Sequence, residues 1–589
     1  MTNNKSAIAI IGGGIAGLYC CYKLATEFPD KKIILYEATE KLGGRIETWS
    51  LKRDYDQTKG FETCDEIFHG IDKEKKKDPW CEDGTGHADK TADYFRAEFG
   101  PMRIEPEHQD LLKGLLTDLG IREGDPENPK WDDLVAFPSY AGEDPEEPKF
   151  TLVGEEHDQN TLLELLLLAL RRICELLPFK GEPKAPLAWN AKAWPYWNNF
   201  RNPSSVHQYY WKGHLRDWIN ALNESDYDNI RRQAVIDDVP LWDMGFWNLL
   251  SGVLSPMAVV KLRDWASFYH LLPENPNAAE WLVFWLRAIK SGGELRGIRG
   301  GMYRLVWQFK KKIESLDTVE IITGAKLVGL SNSNGCISLK FYNAAHNSTT
   351  ERVILAIPKR PLEQVLLAHA HETASAAYLD ILKTHLDAVF GFPLLKCFFI
   401  MDQPWWEDNR PLNRYASSIP TRELKYDKSK DKTKGMVMVY TDRPANQFWT
   451  DYIIDDKNQR LNEQHKAEEW WVNKRNRRLW KRFVQYTRDY EHYDFTENRL
   501  LACGMRDWGK DPYGAAAHSW RPGVKSWETI DFLKAFSLDG EDKNKNIHVC
   551  GEAYSDYQGF IEGSLRSAEQ VIEFIVDANR RPPESRRGL

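Results

Sequence analysis

A chain of 589 residues exceeds one ordinary domain, so two or three subdomains sharing a large core are expected. Its 79 basic and 87 acidic residues leave a net charge of −8, which gives no reason to expect a nucleic-acid partner. A 42% hydrophobic content with 23 tryptophans excludes a disordered chain.

The longest apolar run, 165–170, is far too short to cross a bilayer, so no membrane partner is expected. The first six residues pass straight into a strand, which leaves no room for a signal peptide. Nine cysteines without framework or metal spacing complete the expectation of a cytoplasmic protein with reduced thiols and no metal.

Residues 7–11 read as a short buried strand, and Gly12, Gly14 and Gly17 follow in G-x-G-x-x-G spacing at the start of a helix. Gly12 permits the turn, Gly14 admits a pyrophosphate to the backbone, and Gly17 lets the helix pack on the strand. The free N–H groups and positive end of that helix suit phosphates. A second strand ends in Glu37, twenty residues after Gly17, where a carboxylate accepts from ribose hydroxyls. Gly43, Gly44 and Arg45 then add glycines and a cation for the same pyrophosphate. Together these segments resemble FAD-binding enzymes of the amine oxidase and glutathione reductase type, so FAD is the expected cofactor.

Residues 51–93 are polar and turn-rich, and Cys64, His69, Cys81 and His87 have spacings too irregular for a zinc site. Gly100-Pro-Met102-Arg103-Ile104, followed by a leucine-rich helix from about Glu107 to Leu119, resembles the G-[PA]-M-R segment of the flavin amine oxidase family, closest to its L-amino-acid oxidases. The resemblance implies that Gly100 and Met102 lie along the flavin and that Arg103 grips a substrate carboxylate. A guanidinium fork fits a carboxylate with two charge-assisted bonds, although a structural salt bridge is the plainer role.

Residues 161–290 read mainly helical, with few strand signals or glycine punctuation, and form an inserted subdomain. Asp237, Asp238 and Asp243 either meet a cationic substrate side chain or cap a helix. Gly300-Gly-Met-Tyr-Arg-Leu305 resembles the family's return to the FAD domain. Val319 to Leu330 reads as one strand that would meet adenine near Leu327, and Arg352 to Pro358 resembles the strand that closes this domain. Lys396, in an apolar strand, matches the family lysine that holds a water at the flavin, or else is an edge lysine facing solvent. Asn413-Arg-Tyr415 makes Tyr415 a substitute for the family's carboxylate-sharing tyrosine, and Trp520 is expected in the pocket wall.

At the C-terminus, Gly551-Glu552 resembles the family G-E motif on the cofactor's ribityl and phosphate region. Gly559, Phe560 and Ile561 match the segment beside the flavin, and the helix start up to Ser564 offers free N–H groups to its pyrimidine edge. No histidine carries a motif; His207, His214 and His270 lie in the helical insert.

The fold class implied is α/β with α+β character: a Rossmann-like FAD-binding domain from 1–110, 291–338 and 520–589, a mixed-sheet substrate domain from 111–160 and 339–519, and a helical subdomain at 161–290. The function implied is FAD-dependent oxidation of L-amino acids by oxygen in a homodimer. Lys396 and Arg103 are the catalytic residues, and Arg103, Phe560, Trp520, Tyr415 and Asp238 contact substrate. The alternatives are an amino-acid 2-monooxygenase, an amine or polyamine oxidase, or a flavoprotein without catalysis.

Overall fold

A computed structural model describes residues 2–3, 7–52, 62–63, 94–121, 133–136, 165–166, 169–170, 173, 219, 221–265, 274–290, 295–333, 336–368, 375–406, 413–415, 420–429, 432–442, 445–450, 477–491, 493–495, 500–510, 512–540 and 545–580. Five short runs rich in isoleucine, leucine and valine form one parallel sheet in the order Val319–Ile322, Ile33–Tyr36, Ile8–Ile11, Arg352–Leu355, Ile547–Val549. Such runs suit strands covered on both faces. Ile8, Ile10, Ile33 and Leu35 face one apolar cluster, while Ala9, Ile11, Ile34 and Tyr36 face another. Alternation along each strand therefore feeds two cores. The helices Ile15–Glu27 and Ile561–Arg580, from opposite ends of the sequence, share the first of these cores.

Two expectations change here. The stretch from Val319 to Leu330 is two strands, broken at Gly324, whose φ of +67° turns the chain out of the parallel sheet. The second piece, Leu327–Ser333, pairs antiparallel with Cys336–Phe341, and Arg352–Leu355 then enters the parallel sheet. The expected boundary at residue 339 thus falls inside a hairpin, and the dinucleotide-binding half continues through Leu355.

A five-stranded antiparallel sheet builds the second half, in the order Asn413–Tyr415, Glu423–Lys428, Gly435–Thr441, Leu395–Met401, Leu500–Asp507. On the strand Leu395–Met401, Leu395, Cys397, Phe399 and Met401 face an outer aromatic core. Phe398 and Ile400 face inward, onto Trp49, Phe99 and Met102 of the dinucleotide-binding half. Lys396 takes the parity of that inner face.

The helices Glu224–Gln233, Phe246–Ser251, Pro256–Trp265 and Ala278–Lys290 share a core that includes Phe390, Phe392 and Ala517. The last three belong to a two-stranded ribbon, Val389–Phe392 with Ala517–Trp520, on which the insert rests. At the start of Glu224–Gln233, Asn223 and Asp226 form a reciprocal capping box. Among the described residues no helix is long and apolar enough to cross a membrane.

Candidate active site

The first part of the site is a cradle made by two glycine loops. A Cβ on Gly17 would stand 1.9 Å from the Gly12 carbonyl oxygen, so only glycine lets the helix lie this close to the strand. Gly14 caps that helix without any side-chain bond, and no acid occupies its first turn. Gly44, at φ +57°, faces it closely enough that an added Cβ would lie 3.2 Å from the Gly14 Cα. Two bare backbones and an open helix N-terminus fit a pyrophosphate.

Glu37 is buried and accepts from the Gly13 N–H at 2.7 Å and from the Thr39 N–H and hydroxyl at 2.9 Å. Burial pushes its carboxyl up in spite of these bonds. Its backbone carbonyl accepts from Ala325, which sets the chain two residues before Leu327 beside it.

Glu552 fastens this cradle to the rest of the site. One carboxylate oxygen accepts from the backbone N–H groups of His518 at 2.8 Å and Gly559 at 2.9 Å. The other meets His518 Nδ1 at 2.9 Å and the Arg45 guanidinium at 3.0 Å. Burial opposes the charge, but His518 and Arg45 outweigh it and hold the carboxyl down at about 2. Arg45 also donates to the Ala516 carbonyl. The helix behind Gly559 begins at Ile561, with Ile561 and Ser564 both buried; its Glu562 accepts from Leu111 and Leu112 and so caps the helix that follows Arg103.

Three consecutive carbonyls lead into the arginine segment, and all accept from side chains on or next to the antiparallel sheet. Lys396 Nζ donates to the carbonyls of Glu98 at 2.9 Å and Gly100 at 2.5 Å, and the Trp508 indole donates to that of Phe99 at 2.7 Å. An edge role for Lys396 is excluded, since it is only 4% exposed. Burial, Lys425 and Arg103 drive its amine down to about 7, against the pull of Glu98 and Glu423. Glu98 itself, half-buried and bonded to Thr48 and the Met302 N–H, is pushed up to about 7 by desolvation. Lys425, in an ion pair with Glu423 at 3.2 Å, is pushed down to about 8 by burial, with Arg103 adding to the fall. The Arg103 charge therefore acts on both lysines, and Met102 beside it is packed in the inner core. Gly100 crosses the Arg45 backbone so closely that a Cβ would lie 1.8 Å from the Arg45 carbonyl oxygen.

Beyond Gly559 opens a cleft of about 600 Å³, mouth included, with Phe560 in its wall. Glu105, two residues after Arg103, also lines it, whereas Arg103 is not among the lining residues described. Trp520 does not line it either. Its side chain is fully buried and its indole N–H is bonded to the Ser555 carbonyl, whereas Ala517, His518 and Ser519 of the same strand line the cleft. Asp238 does not line this cleft either. With Asp237 it forms the exposed tip of a hairpin, at φ 62° and 48°, a turn conformation that short acidic residues tolerate. The Tyr415 side chain, the histidines at 207, 214 and 270, and the cysteines and histidines between 51 and 93 lie outside the described residues. His518, Glu98 and Lys425 were missed in the sequence. The alternation of His518 with Ala517 and Ser519 was the available signal for a polar side chain on a strand next to the site.

The sequence matches the family described as flavin containing amine oxidoreductase over residues 84–571, and an NAD(P)-binding Rossmann-like domain over residues 10–78. The chain belongs to the flavin-containing amine oxidoreductase family. No curated protein matches it. Among solved structures, a putrescine oxidase redesigned in its cofactor binding superposes with a TM-score of 0.52 at 13% identity, covering 97% of this chain and 98% of that one. At that identity the likeness concerns the fold. The cofactor of this amine oxidoreductase is FAD, and the cradle around Gly14, Gly44 and Arg45, with Glu37 and Glu552 at its two ends, fits it.

Proposed function

We propose that this amine oxidoreductase oxidises L-amino acids, converting an amino acid, oxygen and water into a 2-oxo acid, ammonia and hydrogen peroxide. The observation that carries the reading is Arg103, a permanently charged fork at the end of a backbone segment fixed by Lys396 and Trp508, whose charge adds to the lowering of the Lys396 and Lys425 amines. Cations gathered in a buried place favour an anionic group of the substrate, and the α-carboxylate is the one every amino acid carries.

Bound FAD supplies a two-electron acceptor for the Cα–H and passes the electrons on to oxygen. Arg103 holds the carboxylate in two parallel bonds and so orients the Cα–H. Phe560 forms one apolar wall beside it. Lys396, with an amine near 7, holds or releases a proton at Nζ around neutral pH, next to the carbonyls that it orders.

The test is anaerobic reduction of the flavin by the twenty L-amino acids and by the amines that lack their carboxylates. The expected result is bleaching by amino acids and little by the amines. In Arg103→Ala the apparent substrate constant should rise at least about tenfold, as loss of a charge-assisted bond requires. An unchanged constant for every amino acid would reject the carboxylate role. Formation of an amide with carbon dioxide, in place of a 2-oxo acid, would identify the monooxygenase reaction instead.

A further inference from the structure

Resting on the L-amino-acid reading, we propose that the cleft beside Phe560 receives an uncharged aromatic side chain, so that this enzyme prefers phenylalanine, tyrosine or tryptophan to basic and acidic amino acids. The walls supply the first reason. Phe560 stands 5.9 Å from Phe284 at 35° and 5.3 Å from Tyr557 at 77°, and Phe284 stands 4.8 Å from Trp281 at 42°. These rings and Phe392 line the cleft. A planar ring entering among them adds offset and edge contacts of the kind the walls already make with one another.

The second reason is electrostatic. Three charged groups in the same wall, Glu280, Asp556 and Arg287, make ion pairs or hydrogen bonds within the protein. The Glu280 carboxylate receives Arg231 at 2.9 Å and the Ser526 hydroxyl. The Asp556 carboxylate is held by Arg566, and its backbone carbonyl by Arg231 at 2.8 Å and Arg287 at 2.9 Å. Arg287 in turn reaches Glu224 at 2.5 Å and lies against the rings of Tyr227 and Tyr557, 4.9 and 4.6 Å from their centroids. A charged side chain entering this wall loses its water and finds these counter-ions already engaged. The aspartates that the sequence offered to a basic side chain, Asp237, Asp238 and Asp243, are exposed to solvent. The rival occupant is a cationic side chain meeting Glu105 at the wall.

Stopped-flow reduction of the holoenzyme flavin by phenylalanine, tryptophan, leucine, lysine, glutamate and 2-phenylethylamine decides between them. Aromatic amino acids should exceed leucine by about tenfold in kcat/KM and exceed lysine and glutamate by more, since a side-chain contact of this size discriminates on that scale. Phe284→Ala should lower the efficiency with phenylalanine by about tenfold and that with leucine much less. Should that variant fail to fold, the wild-type series still decides. Lysine or glutamate equal to phenylalanine overturns the aromatic slot and leaves the L-amino-acid reading standing. 2-Phenylethylamine equal to phenylalanine overturns the carboxylate reading and leaves the slot. Reduction by none of them overturns both.

Discussion

Replacing Glu552 by glutamine tests the electrostatics of the cofactor site without requiring activity. The carboxylate takes two backbone N–H groups on one oxygen, and His518 and Arg45 on the other. Glutamine keeps an oxygen for the backbone but turns an NH2 toward Arg45, so the ion pair is lost in a buried place. A carboxyl held at about 2 in place of its ordinary 4.5 corresponds to about 3 kcal/mol. Loss of one charge-assisted bond, about 1.5–3 kcal/mol, gives a similar figure. Because the folded-state value is depressed, this stability is present above pH 4.5 and is lost as pH falls through about 2. Urea unfolding of the deflavinated protein, followed by tryptophan fluorescence, should therefore show Glu552→Gln less stable than wild type by about 3 kcal/mol at pH 7, with the gap narrowing below pH 4.5. A gap under about 1 kcal/mol, or one that does not narrow in acid, would refute the assignment of that energy to the charge.

Lys396→Met should leave the chain folded while slowing reoxidation of the reduced flavin by oxygen in stopped flow; wild-type reoxidation would remove the lysine from that step. The wild-type amine, lowered to about 7, makes apoprotein stability rise as pH goes from about 7 to 10.5, so the slope in that window should be shallower in the variant. Glu98, raised to about 7, contributes stability that is full below pH 4.5 and lost as pH rises through about 7; Glu98→Gln should flatten that lower window. Trp520→Phe removes the bond to the Ser555 carbonyl and part of a fully buried ring, and should cost about 2–4 kcal/mol in urea unfolding with unchanged substrate constants, whereas a changed selectivity would return Trp520 to the pocket.

The parallel sheet and its glycine cradle were legible in the sequence because local patterns determine them. Apolar runs name the strands, and the spacing of Gly12, Gly14, Gly17 and Glu37 names the turn. Lys396 was legible as a costly residue in an apolar strand, and the strand's alternation then aims it at the Glu98 and Gly100 carbonyls. What failed depended on which of two faces a residue takes, or on where a chain changes sheets. Trp520 and Ser519 are equally good strand residues, and only the ribbon's packing decides which one faces the cleft. The two sheets joined across Gly324 read as one continuous strand because the residues on both sides favour strand equally. Asp238 was assigned by its charge, whereas the hairpin turn uses its tolerance of positive φ.

The two buried polar centres of the site are tuned in opposite ways. Around Glu552, Arg45, the His518 ring and two backbone N–H groups overcome the cost of burial and hold that carboxyl down at about 2. Around Lys396, the burial cost prevails for both the amine and Glu98, and each comes to about 7. Groups so close in value and acting on each other titrate as a unit, and that unit can gain or lose a proton near neutral pH. A fixed charge suits the task of holding a cofactor in register, since any proton taken up there would release Arg45 and the Gly559 turn together. A proton that moves easily suits the role proposed for Lys396 in the oxidation of a substrate amine. The division follows from neighbours supplied by different parts of the chain: His518 and Arg45 converge on Glu552, while Lys425 and Arg103 oppose the charge on Lys396.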